Sequence, residues 1–447
     1  MRCDARKPWA ARSLLILLAA TTLTARPASA APAATKEMPE FERARARMML
    51  KVIRDDLERF YYDPGFHGVA LDDAFGAASD KLDKAASVSQ LFAALARPFL
   101  QLKDSHTVFI PPGRSVRVHF GWQMQIVGEQ CYVTAVQPGS DAAAKGLKPG
   151  DLVLAIDGNR PSRDALWGIN YVYRVIAPRP TFSLQVRSPG GEPRTVEISA
   201  RIEQLKKVID LTRASDVENY IHEIDEEAHR GRHIFVDYGA PLVVWRMPGF
   251  DLTAAEVANE MRRVRDHQAA VLDLRGNGGG AIESLERMAG AFMGDEVKIG
   301  DVKSREDIKP VVSKKAGEVY QGKIVVLVDS DSGSCAELLA RTIQLAGRGA
   351  VVGDRTAGAV MMSRSYSHLV GDASGILFSN QVTVADIIMS DGRSLEKNGV
   401  TPDTVMVPSA EDLAAGRDPV LAHAASLLGV TITPEKAGAL FPVEWEK

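Results

Sequence analysis

Lys323-Ile-Val-Val-Leu-Val-Asp-Ser-Asp-Ser-Gly-Ser-Cys-Ala-Glu-Leu-Leu-Ala340 is the stretch on which the reading of this chain turns. Ile324 to Val328 is a continuous apolar, β-branched run, the pattern of a strand buried on both faces. Asp329 to Ser334 is turn chemistry, and from Cys335 the apolar spacing becomes helical, with Leu338, Leu339 and Ile343 on one face. The unit is strand, tight turn and helix, with Ser334 at the helix N-terminus. Two readings of Ser334 stand side by side. It is an N-cap, because Ser334 and Glu337 have the spacing of a capping box. Or it is a nucleophile, because the unpaired N–H groups and positive end of the helix would face an oxyanion formed beside it. The G-x-S-x-G elbow is not present, since Ser332 and Ala336 occupy its glycine positions.

Working outward, the 447 residues are 45% hydrophobic and 25% charged, with a net charge of −3. That is a soluble globular composition, long enough for several domains, and it gives no sign of a nucleic-acid partner or stable membrane insertion. The N-terminus reads as a secretory signal peptide over residues 1–30: basic Arg2, Arg6, Lys7 and Arg12, an apolar Ser13–Ala25, and the small-residue site Ala28-Ser29-Ala30. Export to a periplasmic or secreted location is the expectation. Cys3 would leave with that peptide, and Cys131 and Cys335 fall in different domains, so no disulfide is expected.

Helical spacing covers Phe41 to Tyr62, Leu71 to Ala85 and Val88 to Leu102, giving a helical N-terminal module over residues 31–110. Pro111-Pro112-Gly113 marks a boundary. Short strands follow at Val116–Val127, Cys131–Val136, Leu152–Ile156, Phe182–Arg187 and Thr195–Ala200. Within them, "PGSDAAAKGLKPGDLVLAIDGNRP" (Pro138–Pro161) resembles the core of a PDZ domain, assigned to residues 111–204. PDZ domains bind peptide C-termini by strand addition. The resemblance makes His119-Phe120-Gly121-Trp122 the carboxylate loop, with Phe120, Gly121 and Trp122 as peptide-binding candidates. His119 stands where the family usually has glycine.

Residues 201–238 are charged and read as mostly helical. His222-Glu223-Ile224-Asp225-Glu226-Glu227-Ala228-His229 lacks H-E-x-x-H spacing, so it reads as a solvated helix face; no metal and no cofactor are expected. From Pro241 strands and helices alternate: strand Leu242–Arg246, helix Thr253–His267 with a Thr253/Glu256 capping box, strand Ala270–Leu274, helix Ile282–Met293, the opening stretch, and strand Ala350–Gly353. Ile376–Ile388 and Thr404–Val407 add strands, and Pro419–Leu428 a helix capped by Asp418. Gly276-Asn277-Gly278-Gly279-Gly280-Ala281 satisfies G-x-G-x-x-A, but its place late in the chain and Arg275 at the strand end argue against a dinucleotide site. A Gly-rich turn that brings backbone N–H groups close to a substrate carbonyl is the better reading.

Taken together, the PDZ core, "LDLRGNGGG" (Leu272–Gly280), "VLVDSDSGSCAELLA" (Val326–Ala340) and "LEKNGVTPD" (Leu395–Asp403) resemble the C-terminal-processing (tail-specific) peptidases and the related tricorn core peptidases. The resemblance implies an α/β fold: a crotonase-like (ClpP-type) peptidase core over residues 205–447, with the helical module and an inserted PDZ domain. One departure bears on mechanism. Tail-specific peptidases use a Ser/Lys dyad, with lysine shortly after G-x-x-T-x-G-K; here Gly353-Asp354-Arg355-Thr356-Ala357-Gly358 is followed by Ala359. The tricorn branch uses Ser, His and Glu with a helper serine. "DSHT" (Asp104–Thr107) matches that motif, giving His106 as base and Ser105 as helper, and Glu396 matches the acidic member. Lys397 is a weaker candidate base.

Imidazole can activate a serine hydroxyl near neutral pH, and Glu396 could hold it in the productive tautomer directly or through Ser105. Oxyanion donors would be the Cys335 N–H and one from Gly279 or Gly280. The resemblance therefore implies a serine endopeptidase acting on protein or peptide substrates through an acyl-enzyme at Ser334, with room for a homo-oligomer. The competing reading, from binding proteins on the same fold, makes Ser334 only a cap and Gly276–Gly280 only a turn.

Overall fold

The computed structural model describes residues 38–113, 116–204, 232–371 and 375–445; the signal-peptide reading and the run His222–His229 lie outside them. Helices α1 (Glu40–Phe60), α2 (Leu71–Asp83) and α3 (Val88–Leu102) come first, where the apolar spacing puts them. α1 buries Ala46, Met49, Leu50, Ile53 and Leu57, a single helix face. Ser87 caps α3 by accepting from the Gln90 N–H, and Lys103, in left-handed conformation, ends it.

β1 (Val108–Ile110), β2 (Val116–His119), β3 (Trp122–Val127) and β4 (Gln130–Val136) follow, then α4 (Asp141–Ala144), β5 (Leu152–Ile156) and α5 (Arg163–Asn170). β6 (Thr181–Arg187), β7 (Pro193–Ser199) and β8 (Arg201–Gln204) complete this part. The antiparallel sheet runs β3-β4-β5-β6-β7, and β2 pairs with β8. The expected strand Val116–Val127 is therefore two strands. Gly121, at φ 68°, breaks it, and a Cβ there would stand 2.5 Å from Ser140 Cβ, so only glycine fits the turn.

The remainder holds β9 (Ile234–Asp237), β10 (Val243–Arg246), α6 (Ala254–Arg265), β11 (Ala269–Asp273), α7 (Ile282–Met293), β12 (Lys298–Ser304), β13 (Ile308–Val312) and β14 (Lys323–Val328). Next are α8 (Cys335–Leu345), β15 (Ala350–Gly353), β16 (Met361–Val370), β17 (Ile376–Met389), β18 (Thr404–Val405), α9 (Ala410–Ala415), α10 (Pro419–Leu427) and α11 (Pro434–Gly438). One sheet has the order β18-β15-β14-β11-β10-β9, parallel except for β9. Val257, Met261, Leu285, Met288, Leu338 and Leu339 cover one face of it, and Val420, Leu421, Ala424 and Ala425 the other. Burial on both faces is why β11 and β14 are unbroken apolar runs.

A second, antiparallel sheet centres on β17, which pairs with β16 on one edge and with β1 and β12 on the other. Helices α1–α3 share one core with Phe109, Val370, Phe378 and Val382. The charged span 201–238, read as mostly helical, has strands at both of its described ends, because β2 and β10 supply pairing partners that sequence alone does not reveal; its middle lies outside the described residues. β12, β13 and β16 were not foreseen either; each exposes one face, so polar side chains dilute the apolar signal.

Candidate active site

β11 and β14 lie side by side, so the turns that follow them, Gly276–Gly280 and Asp329–Ser334, emerge together at the C-terminal ends of a parallel sheet. Crevices at that edge are where open α/β sheets place ligands. The turns are tied to each other. Asp329 Oδ1 accepts from the Gly276 N–H (2.9 Å) and the Asp331 N–H (3.1 Å), the Gly333 N–H donates to Asn277 O (2.9 Å), and Ser332 Oγ donates to Leu274 O (2.8 Å).

Ser334 begins α8 at φ 53° and ψ −121°, a conformation that residues with a Cβ rarely adopt and not the extended backbone of an ordinary N-cap. Its N–H donates to Ala359 O (2.9 Å) and to Glu337 Oε2 (3.1 Å). Glu337 is fully buried. Its carboxylate also takes the N–H of Ala359 (2.9 Å), the N–H of Gly358 (2.8 Å) and the hydroxyl of Thr356 (2.5 Å). Burial pushes this carboxyl up to about 7, while the four donors hold it toward the anion. The Glu337 half of the capping box is thus real, but it serves to fix the strained serine against the Thr356–Ala359 loop.

The Asp104–Thr107 motif is shaped by its own aspartate. Asp104 Oδ1 accepts from the N–H of His106 (2.9 Å), the N–H of Thr107 (2.7 Å) and the hydroxyl of Thr383 on β17 (2.9 Å). Ser105 then bridges. Its hydroxyl donates to Glu396 Oε2 (2.9 Å) and lies 2.6 Å from His106 Nδ1. A hydroxyl has one proton, so with Glu396 taking it, Nδ1 must be the donor to Ser105 and Nε2 carries the free lone pair. Glu396 also accepts from the Ser105 N–H (3.1 Å) and the Val360 N–H (2.9 Å). Burial raises the Glu396 carboxyl and lowers the His106 imidazole. Of the two arrangements open in the sequence, the one through Ser105 is present.

Ser334 and Glu396 grip opposite sides of one short backbone segment: Ala359 O receives Ser334, and Val360 N–H reaches Glu396. Ala359, in the lysine position of the Ser/Lys enzymes, therefore stands beside the serine turn. Among the described residues no hydrogen bond joins His106 to Ser334. Catalytic hydrogen bonds often tighten only when substrate binds. Lys397 is exposed at φ 62°, and its backbone N–H donates to Gly358 O (2.7 Å).

Gly279 and Gly280 have φ of 105° and 145°. A Cβ on Gly279 would stand 2.5 Å from Ser334 Cβ and 3.1 Å from the Cys335 N, so the glycine turn packs directly on the serine. The Gly279 N–H is used by Asn277 Oδ1 (2.8 Å), which leaves Gly280 and Cys335 as the donor candidates. Cys335 is buried, gives its Sγ–H to Gly280 O, and is pushed by burial up to about 12, so it is a thiol and not a nucleophile. Cys131 is likewise free and buried.

In the PDZ part, Phe120 and Trp122 are buried in its core, so the loop offers backbone rather than these side chains to a ligand. Sequence reasoning quoted Thr356, Asp329 and Arg275 within motifs without giving them a role, and missed Thr383, which lies in no motif. Arg275 is fastened to Asp273 (2.8 Å) and to Asp418 (2.8 Å), the N-cap of α10. Removing the cation from this largely buried trio leaves two carboxylates unpaired, so Arg275→Met is expected to cost about 3–5 kcal/mol in urea unfolding.

Comparison with known proteins gives two domain matches. The model of peptidase family S41 matches residues 241–406, and that of the PDZ domain matches residues 132–187. The tail-specific protease of Haemophilus influenzae is 24% identical over 320 residues, 67% of this chain and 43% of its own length. The carboxyl-terminal-processing protease of Picosynechococcus sp. is 26% identical over 71% of this chain and 73% of its own. The chain thus spans less than half of the first relative and about three quarters of the second. Mature CPAF has a similar fold, with a TM-score of 0.61 at 15% identity over 83% of this chain and 94% of that one. Residues 241–406 thus match a peptidase family and residues 132–187 a PDZ domain, and the chain is similar to the C-terminal-processing and tail-specific proteases.

Proposed function

We propose that this chain is an exported serine endopeptidase with a crotonase-like core, working through Ser334, His106 and Glu396 and not through a Ser/Lys dyad. The observation that carries the reading is the bridge Glu396–Ser105–His106, which leaves Nε2 as the only basic nitrogen. In the reaction His106 Nε2 takes the Ser334 proton as Oγ attacks the peptide carbonyl. The N–H groups of Cys335 and Gly280 receive the oxyanion. The imidazolium returns its proton to the leaving amine, and water hydrolyses the acyl-enzyme by the same route. Glu396 stays ionised and stabilises the imidazolium through the Ser105 hydroxyl. Supporting export is the leader pattern over residues 1–30.

A fluorophosphonate probe tests this reading: the folded protein is expected to be labelled, and resistance to labelling would overturn it. The base must be neutral, and burial lowers the His106 pKa. The acid limb of the labelling rate is therefore expected below the ordinary imidazole value of about 6.5. A limb above that value contradicts the assignment. Glu396→Gln leaves Ser105 without an anionic acceptor; kcat on a casein substrate is expected to fall about 10²–10⁴-fold with KM nearly unchanged.

A further inference from the structure

The turn that carries His106 holds a second carboxylate, and only half of it is spent. Asp104 Oδ1 takes three donors, the N–H groups of His106 and Thr107 and the hydroxyl of Thr383. Its other oxygen, Oδ2, is buried and accepts no hydrogen bond. Among the described residues Glu260 Oε2 is the other buried carboxylate oxygen in that state, and it has Arg263 at 3.5 Å. Asp104 has no such relief, since among the described residues no ion pair reaches it. Holding a charged oxygen out of water without a partner is costly. Shape does not require it. Asparagine would offer the same Oδ1 to all three donors, and its amide could donate to the Tyr61 hydroxyl, which faces the carboxylate. What aspartate adds to the turn is a negative charge.

The groups around Asp104 leave one place for that charge to act. The end of α1 and the turn after it bring Tyr61, Tyr62, Asp63 and His67, β17 brings Asp386, and the Leu395–Val400 loop brings Glu396; Lys103, next in the chain, is exposed. The other carboxylates are spent locally. Asp63 accepts from the N–H groups of Gly65 and His67, Asp386 from the Ser394 hydroxyl, and Glu396 from Ser105 and Val360. His67 is spent as well, because Nδ1 donates to Leu102 O (3.0 Å) and Nε2 accepts from the Tyr62 hydroxyl (2.8 Å). The remaining ring is that of His106, which burial makes harder to protonate and the Asp104 charge makes easier. That ring is neutral at rest and becomes a cation only on taking the Ser334 proton. The buried anion therefore gains its counterion as the reaction proceeds and not before, and interactions of that kind raise kcat.

We propose that Asp104 is a second anionic positioning residue of the site: Oδ1 sets the His106 turn, and the buried charge stabilises the imidazolium in addition to the relay through Ser105 and Glu396. The proposal rests on the reading of His106 as the base.

The test compares Asp104→Asn with Thr383→Val in the full chain. The first removes the charge and keeps the acceptor; the second removes a fastening and keeps the charge. One readout is the pH dependence of fluorophosphonate labelling. The other is the His106 titration, followed by NMR of chains carrying Ser334→Ala and carbon-13 histidine, with the resonance assigned by His106→Gln. Asp104→Asn is expected to slow plateau labelling about tenfold or more and to move both the acid limb and the His106 titration to lower pH by about half a unit or more, because losing an anion disfavours the imidazolium. Thr383→Val should slow labelling and leave both titrations in place. If the asparagine chain does not fold, Asp104→Ser keeps one oxygen in the turn and takes its place. A titration that stays put or rises without the carboxylate overturns the proposal. So does one that moves as far in Thr383→Val, which would make the effect a matter of turn shape. A wild type that resists the probe while His106 still responds to Asp104→Asn would strike the catalytic reading and leave the pairing of the two side chains standing.

Discussion

Ser334→Ala is expected to lower kcat by about 10⁶-fold on any protein substrate and to eliminate fluorophosphonate labelling. The size follows from the role: without the hydroxyl the imidazole has no proton to remove and no covalent intermediate forms. Folding should be almost unaffected, because the fastening of this position runs through its backbone, from Ser334 N–H to Ala359 O and Glu337. Ser334→Gly separates chemistry from strain. The φ of 53° is easy for glycine and unfavourable for residues with a Cβ, so the glycine chain should be equally inactive yet about 0.5–1 kcal/mol more stable to urea. An alanine chain that still turns over substrate, after exclusion of a contaminating protease, would remove Ser334 from the mechanism.

Gly279→Ala should be the next most damaging change, with kcat reduced about 10²–10³-fold. The added methyl would sit 2.5 Å from Ser334 Cβ and 2.9 Å from its Oγ, and φ of 105° is itself hostile to alanine. Something must move. Asn277, which accepts the Gly333 N–H and takes the Gly279 N–H on its side chain, holds the two turns in register, so the displacement reaches the oxyanion donors. KM should change far less than kcat, since the disturbed donors act on the oxyanion of the transition state. By contrast, Gly278→Ala meets no atom within 4 Å and makes a fair control.

How far the sequence could be read depended on where each residue's partners lie. α3, α7 and β15 fall on the boundaries their patterns suggest, because spacing, caps and buried runs are local properties. His106, Ser105 and Glu396 were findable only through motif resemblance, and the hydrogen bonds of Ser105 to Glu396 then span 291 positions. Thr383 could not be found at all: it is one polar residue in a strand, and its importance comes from packing against Asp104. The glycine turn showed its flexibility in sequence, but which N–H remains free depends on Asn277. Phe120 and Trp122 were read as ligand contacts since the loop pattern says nothing about which way an aromatic ring points, and burial claims both.

The long separation between Ser105 and Glu396 also sets a timetable. A ribosome makes the histidine turn early, the serine turn some 230 residues later and the carboxylate later still. Until Leu395–Val400 has emerged and docked, His106 has nothing to fix its tautomer. On the proposed mechanism, a nascent chain that stops short of Glu396 would carry serine and histidine without a working relay.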